Sequence, residues 1–370
     1  MEKPSVISPV LNKHLTEARQ FQGIPGIERT AGGRLWATWY TGGTDEGPEN
    51  FVVLVTSEDD GVTWSEPVAV AEAPGNERCY DPTLWIGPDG VLRWFWAHTW
   101  TPQDGTISNG CDGVWYSECS DSESASPEWS KPVRIANGVM MNKPTVMSNG
   151  EWVYPTALWT GNIGNASASG DLLKECFSNM SVSTDCGKNF ELRIGPDVKE
   201  RSFDEHMFVE LNGERVWCLV RTHYGIGQSF SDDWGQTWHD TGDSGLGGPT
   251  SRFFIRRLAS GRLLLINHAY NEPEGKYTRC NLTAFLSEDD GKTWPYSMML
   301  DEREMVSYPD GKQDEGGNIW IIYDFNRYGA GDILYAKFTE DDVISGKIVT
   351  ESSKLKQLIN RTGGVKEKKR

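Results

Sequence analysis

One short pattern recurs along the chain and restricts its fold more than any other feature: a glycine followed by a strand of apolar and aromatic residues. It occurs six times, as GRLWATWY from Gly33, GVLRWFWA from Gly90, GEWVYPTALW from Gly150, GERVWCLVRT from Gly213, GRLLLINH from Gly261 and GNIWIIYD from Gly317. Successive copies are separated by 57, 60, 63, 48 and 56 residues. Repetition at this period, with several strands in each unit, is typical of β-propellers whose blades hold about four strands. The pattern therefore predicts an all-β protein with a six-bladed β-propeller fold.

A second motif, Ser-x-Asp-x-Gly-x-Thr-Trp, accompanies three of these strands. It reads SEDDGVTW from Ser57, SDDWGQTW from Ser231 and SEDDGKTW from Ser287, with a degraded copy, STDCGKNF, from Ser183. Ser and Asp accept hydrogen bonds from turn backbone, Gly permits positive φ, and Trp can pack beneath the turn. We interpret these Asp-box turns as structural connections between outer strands, remote from any active site.

The repeats predict one domain rather than several. We expect a single propeller over residues 1–345, in which residues 1–18 supply an outer strand that closes the ring with the last blade, because an open sheet edge would otherwise remain. Residues 346–370 become polar and end in GGVKEKKR, which predicts a surface segment with a basic tail.

Charge and composition restrict the partners. The 370 residues carry a formal net charge of -17 at pH 7, which repels nucleic acid and anionic membrane surfaces. No apolar run approaches the roughly 20 residues of a membrane span, and no apolar signal segment opens the chain, so we expect a cytoplasmic protein. The seven cysteines lack CxxC or Cys/His ligand spacing, which favours reduced thiols over disulfides or a metal site. The oligomeric state is left open.

Several further segments resemble those that carry the active site of the sialidase (neuraminidase) superfamily, whose members are six-bladed propellers with Asp boxes. The resemblance extends from about residue 20 to 330. In TRCNLTAF, Arg279 matches an arginine that binds the substrate carboxylate, and VSYPDG places the nucleophilic tyrosine at Tyr308. FDEHMFVEL places the base that activates this tyrosine at Glu205, and Arg221 matches a second carboxylate-binding arginine.

The residue types that the resemblance brings together suit one reaction. A phenol is a weak nucleophile at neutral pH, so a carboxylate must take its proton. A neutral tyrosine also avoids the repulsion that a carboxylate nucleophile would meet at an anomeric carbon bearing a carboxylate. Guanidinium groups bind carboxylates in bidentate fashion. The resemblance thus implies an exo-acting glycoside hydrolase that cleaves a terminal acidic sugar with retention and requires no metal or organic cofactor.

The first blade departs from the family pattern. FQGIPGIERT has Gly23 where the family has its first carboxylate-binding arginine, and LWATWYTGG ends in Thr41 where a further arginine is expected. Arg19 lies four residues before Gly23, on the same face of a regular strand, and is a candidate replacement. The carboxylate site is therefore two-thirds present, and either sialic acid or a related acidic sugar fits the sequence.

The loop GGTDEGPEN is where the resemblance places the general acid. It contains Asp45, Glu46 and Glu49. We favour Glu46 as the acid, because the family places an aspartate five or six residues beyond the missing arginine, and we include Glu49 among the substrate-binding candidates. A glutamate in place of that aspartate lengthens the reach of the acid by one methylene group.

Three more residues lie at the starts of predicted inner strands, which point toward the central funnel of a propeller. Asp81 in CYDPTLW matches a family position that contacts substrate. Arg252 in GPTSRFF and Lys143 in MNKPTV are cations at the same relative position ahead of later Gly-led strands. All three are candidates for binding the sugar.

Two other functions fit the same propeller. A histidine such as His98, His223 or His268, paired with a tyrosine, could act as the base of a polysaccharide lyase that eliminates from a uronic acid. Alternatively, the altered first blade could mark a non-catalytic carbohydrate-binding propeller. Under all three hypotheses the partner is an oligosaccharide or glycoconjugate.

Overall fold

The computed structural model describes residues 3–100, 113–159, 170–270 and 275–363. Six antiparallel sheets contain the strands of this part of the chain, and they form the six blades of a β-propeller. The fold class predicted from the Gly-led repeats is confirmed. Short 3-10 helices and one α-helix connect strands at Asn12–His14, Thr16–Ala18, Gly170–Glu175 and, as α1, Glu340–Ser345.

The first three blades contain thirteen strands. Blade one consists of β1 (Ser5–Ile7), β2 (Gln22–Arg29), β3 (Leu35–Thr41), β4 (Phe51–Ser57) and β5 (Ala69–Glu72). Blade two consists of β6 (Glu77–Ile86), β7 (Leu92–Trp100), β8 (Gly113–Cys119) and β9 (Val133–Ala136). Blade three consists of β10 (Thr145–Val146), β11 (Trp152–Ala157), β12 (Ser178–Ser183) and β13 (Glu191–Arg193).

The last three blades contain four strands each. Blade four consists of β14 (Met207–Leu211), β15 (Arg215–Thr222), β16 (Gly225–Ser231) and β17 (His239–Asp243). Blade five consists of β18 (Phe254–Arg257), β19 (Leu263–His268), β20 (Leu282–Ser287) and β21 (Tyr296–Asp301). Blade six consists of β22 (Val306–Gln313), β23 (Ile319–Phe325), β24 (Asp332–Phe338) and β25 (Lys354–Arg361).

In each blade the strands are counted outward from the inner strand, which lies nearest the axis of the ring; in blade one the inner strand is β2. The Gly-led strands are the second strands of the six blades by this count. All six leading glycines have positive φ, between 76° and 102°, a conformation that glycine adopts without steric cost in the turn after each inner strand. The strands that follow are buried along both faces, as in β3, where every residue is buried. This explains why they read as continuous apolar runs, since each blade packs between two neighbours.

The inner strands approach one another closely around the axis. A Cβ atom on Gly26 of β2 would lie 3.2 Å from the Cα of Thr83 in β6 and 3.4 Å from a carboxylate oxygen of Asp310 in β22. Because successive strands alternate in direction, the starts of inner strands and the ends of second strands meet at one face. The Asp-box turns, between third and fourth strands, lie at the other.

Each Asp box begins at the last residue of a third strand. In the first, Asp59 accepts hydrogen bonds from the Ser57 hydroxyl at 2.8 Å and from the Thr63 amide and hydroxyl at 2.9 and 2.6 Å. In the degraded copy the Asn189 side chain takes the place of the threonine and donates to Asp185 at 2.6 Å. The turn is therefore held by contacts within a few residues of chain.

The ring closes differently from the prediction. Strand β1 pairs with β5 of blade one, and β25 completes blade six from the chain's own end. The sixth sheet thus extends past residue 345, and the edge that an N-terminal strand would have joined is already occupied. Blades one and six are instead linked by side chains, including Gln22, which donates to the Gly331 carbonyl at 2.6 Å, and Asn360, which donates to the Thr16 hydroxyl at 3.0 Å.

The helices of the described chain include none with the length and apolar character needed to cross a membrane.

Candidate active site

Three inner strands carry the same kind of bulge near their start. In β2, β6 and β22 the pairing register shifts around an X-Pro step, and the residue before the proline has positive φ: 54° for Ile24, 47° for Asp81 and 57° for Tyr308. Asp324 joins two of these bulges, accepting hydrogen bonds from the Ile24 amide at 3.0 Å and the Ser307 hydroxyl at 2.7 Å. Bulges redirect side chains, and strained non-glycine backbone is often found at functional sites.

Tyr308 lies at the centre of a buried hydrogen-bonded group. Its hydroxyl is 3.3 Å from Oε1 of Glu205, and Nη1 of Arg221 lies 3.2 Å from that hydroxyl and 2.5 Å from the same carboxylate oxygen. The three side chains come from blades six and four and are all nearly inaccessible to solvent. A carboxylate within hydrogen-bond reach of a phenol is the arrangement that lets it act as base.

The chain neighbours of Glu205 face elsewhere. Both ring nitrogens of His206 lie 2.8 Å from backbone carbonyl oxygens, those of Asp204 and Asn179, and burial lowers the pKa of this histidine to about 4. The Asp204 carboxylate accepts a hydrogen bond from the Ser178 hydroxyl at 3.0 Å. Of the Asp-Glu-His triplet, Glu205 is therefore the residue that contacts the tyrosine.

Two more arginines flank the Tyr308 ring. The guanidinium carbon of Arg279 lies 5.2 Å from the ring centroid, and that of Arg327 lies 4.6 Å from it. Arg279 donates to the Thr250 carbonyl at 3.0 Å. A pocket of about 330 Å³ opens beside both arginines and Tyr328. With Arg221, three guanidinium groups surround the phenol, which concentrates positive charge where an anionic ligand would bind.

Arg327 was not predicted from the sequence, and it passes through the space that Gly23 leaves open. A Cβ atom on Gly23 would lie 2.2 Å from Cδ and 2.8 Å from Cγ of Arg327. The side chain enters from the turn after β23, at the same face as the starts of the inner strands. Blade one therefore lacks an arginine at position 23, and an arginine from blade six occupies the space beside that position. The signal available in the sequence was Arg327 itself, at the end of a second strand.

The Arg327 guanidinium is buried with few partners. The side chain is 8% exposed, and within the described chain neither Nε nor Nη1 donates a hydrogen bond. The nearest carboxylate oxygens are those of Glu46, 3.7 Å from Nη1, and Asp324, 3.9 Å from Nε. Buried donors without acceptors are costly, so this group is suited to receive an anion from solution.

Arg19, the replacement suggested by sequence spacing, lies at the ring closure instead. Its guanidinium donates to the Thr16 hydroxyl at 2.9 Å and the Asn360 side chain at 3.1 Å, and it lies over the Trp39 ring. That suggestion was wrong, because Arg19 directly follows the 3-10 helix Thr16–Ala18 and precedes β2, which begins at Gln22, so no regular strand alternation relates it to Gly23.

The wall of the funnel opposite Glu205 and Arg221 is built from blades one and two. Glu46 accepts a hydrogen bond from the Tyr328 hydroxyl at 3.1 Å. Asp81 is 4% exposed, and burial raises its pKa to about 7. The buried Tyr40 hydroxyl has no hydrogen-bond partner among the described residues, and neither do Nε and Nη1 of Arg78. This wall therefore contains polar groups whose bonding capacity is unused.

The two cations predicted at later inner strands bind protein groups. Lys143 lies 2.5 Å from the Leu84 carbonyl and 3.1 Å from the Asp310 carboxylate. Arg252 donates to the Asn142 side chain at 2.7 Å and has Nη2 3.6 Å from Asp310. Both are buried between inner strands and compensate the charge of Asp310, so the substrate-binding set proposed below leaves them out.

The other two carboxylates of the blade-one loop fold back on that loop. Asp45 accepts a hydrogen bond from the Glu46 amide at 2.9 Å. Glu49 is exposed and lies against Gly43, where a Cβ atom would be 2.8 Å from its Oε2. Of the three candidates for the acid, Glu46 is the one that contacts Arg327.

The histidines considered for a lyase have other contacts. His268 lies 2.9 Å from the Val306 carbonyl, and burial lowers its pKa to about 4. His98 lies 2.7 Å from Glu77, and His223 is exposed. Among the residues that the structure describes, no group of three His, Cys, Asp or Glu is placed to hold a metal ion.

Comparison with known proteins identifies the family. Residues 33–321 match the model of the BNR repeat-like domain family, and the chain belongs to this family. A search of curated proteins found no match. The Asp-box (BNR repeat) propeller predicted from the sequence is confirmed by this match and by solved structures of the same fold.

Solved structures of similar fold include sialidases. An intramolecular trans-sialidase from Ruminococcus gnavus, in complex with oseltamivir carboxylate, aligns with TM-score 0.66 and 14% identity over 91% of this chain and 98% of that one. The NanB sialidase from Streptococcus pneumoniae aligns with TM-score 0.66 and 11% identity over 89% and 70%. A Dyadobacter fermentans protein of unknown function aligns with TM-score 0.62 and 18% identity over 88% and 95%. At these identities the similarity shows the fold.

Proposed function

We propose that this protein is a sialidase-like exo-glycoside hydrolase that releases a terminal acidic sugar with retention of configuration. The observation that carries the proposal is the buried Tyr308 phenol within hydrogen-bond reach of the Glu205 carboxylate. Three arginines surround that phenol. In a propeller related to sialidases, this combination suits displacement at an anomeric carbon that bears a carboxylate.

In the first step, Glu205 takes the proton of the Tyr308 hydroxyl, and the phenolate oxygen forms a bond to the anomeric carbon. The bond from that carbon to the leaving oxygen breaks, and the leaving oxygen receives a proton from a carboxylic acid on the opposite wall. In the second step, the carboxylate left on the opposite wall takes a proton from water, which attacks the anomeric carbon from the side that the leaving group vacated; the bond from that carbon to the tyrosine oxygen breaks, and the tyrosine regains its proton from Glu205. Two displacements give net retention.

The arginines have two separate tasks in this proposal. Arg221, 3.2 Å from the phenol oxygen, stabilises the negative charge that develops there. Arg279 and Arg327 bind the carboxylate of the sugar, because both line the same pocket and Arg327 has unused donors. The Ruminococcus gnavus enzyme was solved with a ligand that its name identifies as a carboxylate, which supports an acidic sugar for this chain.

The test is hydrolysis of aryl glycosides by the wild type and Tyr308→Phe. The panel contains an α-linked aryl sialoside, an aryl uronide and neutral aryl glycosides. We expect the wild type to release the aryl group from an acidic member and Tyr308→Phe to lose on the order of 10³-fold or more in kcat. Tyr335→Phe is the matched control, since it removes a buried hydroxyl that donates to the Gly61 carbonyl, remote from the funnel.

Three results would contradict the proposal in different ways. Release that does not depend on Tyr308 would remove its role as nucleophile. A product with the ultraviolet absorbance of a new double bond would identify a lyase. Binding of acidic sugars without release of any product would identify a carbohydrate-binding propeller. Nuclear magnetic resonance of the first product formed determines whether configuration is retained.

A further inference from the structure

Two carboxylates on the same wall of the funnel are held in opposite ways, and the difference separates their roles. We propose that Asp81 is the general acid that protonates the leaving oxygen, and that Glu46 is a positioning residue that holds Arg327. This inference rests on the glycosidase function proposed above. It departs from the expectation drawn from sequence, in which Glu46 was the acid.

The surroundings of Glu46 join it to Tyr328 and Arg327. The Tyr328 hydroxyl donates to Oε1 at 3.1 Å, and Nη1 of Arg327 lies 3.7 Å from the same oxygen. The side chain is also 31% exposed, so water can solvate its charge. Glu46 is therefore placed to hold Arg327 in position.

The surroundings of Asp81 favour its neutral form. It is 4% exposed, and within the described chain no group donates a hydrogen bond to its carboxylate. Burial without donors disfavours the ionised state of a carboxyl group. An acid of this kind holds its proton near neutral pH and can release it to a developing alkoxide.

The charges that face Asp81 come from several blades. Arg78 lies on its own strand, Glu46 on the loop after β3, Glu205 before β14 and Arg252 before β18. Burial raises the pKa of Asp81 to about 7; the arginines oppose this shift, and the two glutamates reinforce it. The Tyr40 hydroxyl, from β3, also interacts electrostatically with Asp81.

The fold places Asp81 and Tyr308 on either side of blade one. Both stand before a proline, at positive φ, in the bulge of an inner strand, and the Ile24 bulge of blade one lies between them in the ring. Tyr308 packs in the same apolar cluster as Ile24 and Tyr80, the neighbour of Asp81. The two groups thus come from blades separated by a single blade, and a nucleophile and an acid acting on one glycosidic bond must flank that bond.

Asp81 gives up one proton in the first step and takes one back in the second. The Asp81 carboxyl group gives its proton to the glycosidic oxygen as the bond to the anomeric carbon breaks, and that oxygen keeps the bonding electron pair. Asp81 is left as a carboxylate. It then takes a proton from the water that attacks the anomeric carbon, which restores the acid while the tyrosine oxygen departs.

The experiment compares Asp81→Asn with Glu46→Gln on two leaving groups attached to the same sugar. One is a nitrophenol, which departs without assistance, and the other is a sugar alcohol, which needs a proton. For Asp81→Asn we expect a loss of about 10²- to 10⁴-fold in kcat on the sugar alcohol, a much smaller loss on the nitrophenol, and disappearance of the alkaline limb of the pH profile. For Glu46→Gln we expect equal losses on both leaving groups and an unchanged alkaline limb.

The reverse pattern, in which Glu46→Gln is selective for the poor leaving group, would overturn the assignment. If Asp81→Asn does not fold, the pH profile of Glu46→Gln still distinguishes the two candidate acids. Loss of the alkaline limb in that variant would identify Glu46 as the general acid. A second readout needs no activity: carbon-13 resonances of labelled aspartate carboxyl groups should include one with a midpoint near neutral pH that persists in Asp204→Asn, because burial also raises the pKa of Asp204 to about 6. If the wild type cleaves no glycoside, the proposed hydrolase function is wrong. If every aspartate carboxyl resonance titrates at acidic pH, only the assignment of Asp81 as the general acid is wrong.

Discussion

Aspartates at the two faces of this propeller are held in opposite ways. In the first Asp box, Asp59 accepts hydrogen bonds from the side chain and backbone of Thr63 and from Ser57, and these lower its pKa to about 2. In the funnel, Asp81 lacks a donor within the described chain, and burial raises its pKa to about 7. An aspartate side chain is thus ionised over most of the pH range at one face, whereas at the other it holds a proton up to near neutral pH.

Asp59 and Asp81 differ in how far along the chain the residues that surround each carboxylate lie. All the donors to Asp59 lie within six positions of it in the chain, so a short segment carries everything the turn requires. The surroundings of Asp81 are assembled from blades one, two, four and five. Satisfied hydrogen bonds stabilise the fold, whereas an unsatisfied buried acid costs stability and is useful only for chemistry.

The largest expected effect concerns the pH dependence of stability. The pKa of Asp81 is raised from 3.8 to about 7 in the folded protein, so the folded state binds more protons than the unfolded state between these values. The wild type should therefore lose stability as the pH rises through this window. Asp81→Asn should remove that loss, gaining up to about 4 kcal/mol at pH 8 relative to its effect at pH 4.

Urea unfolding of both proteins at the two pH values measures this difference. Any constant cost of burying the asparagine amide cancels between the two conditions. An equal stability difference at both pH values would show that Asp81 titrates normally, and the contrast between the two faces would disappear.

The next effect concerns Gly23. Gly23→Ala should displace Arg327, because the added Cβ would lie 2.2 Å from its Cδ. Loss of a charge-assisted contact should reduce kcat/KM for an acidic aryl glycoside by roughly 10- to 100-fold, with little change for a neutral one. Gly47→Ala is the matched control in the same blade, since no atom of the described residues other than its two chain neighbours lies within 4 Å of its Cβ position. Equal losses for acidic and neutral sugars would argue against a carboxylate role for Arg327.

A smaller effect is expected at the other face. Asp59→Ala should lower the midpoint of unfolding, because the Thr63 and Ser57 groups lose their acceptor, while kcat/KM stays within about twofold of wild type. The pKa of Asp59 is lowered, so its contribution is present above the unfolded value of 3.8 and lost as the pH falls through about 2. Thermal unfolding of wild type and variant at neutral and acidic pH measures both statements. A large loss of activity with unchanged stability would show that this turn is more than structural.

The smallest effect is expected where the box is degraded. Asn189→Thr restores the threonine of the common motif beside Asp185, which already receives hydrogen bonds from the Asn189 amide and side chain. We expect only a slight change in the midpoint of thermal unfolding, in either direction, and no change in activity. A marked stabilisation would mean that the asparagine supports the turn less well than its contacts indicate.

Much of the fold could be predicted because the relevant signals are local. The leading glycines mark turns that need positive φ, and the Asp boxes mark hairpins that satisfy their own hydrogen bonds. Four residues predicted from family segments also meet in space, since Tyr308 contacts Glu205 and Arg221 and lies beside Arg279. The ring closure could not be predicted, because a strand from either end of the chain could have completed the last sheet. The pairing of β25 with β24, and of β1 with β5, shows that the C-terminal strand does so.

The sequence by itself determined the number of blades, the position of the Asp-box turns and three of the residues around the tyrosine, Glu205, Arg221 and Arg279, since each depends on a few neighbouring positions or a recognisable segment. Only the tertiary structure decided which charges share the funnel. Arg327 reaches Tyr308 across the gap at Gly23, Lys143 and Arg252 are bound to Asp310, and Asp81 is buried without a donor. These outcomes depend on contacts between blades that are distant in the chain, so no local pattern encodes them.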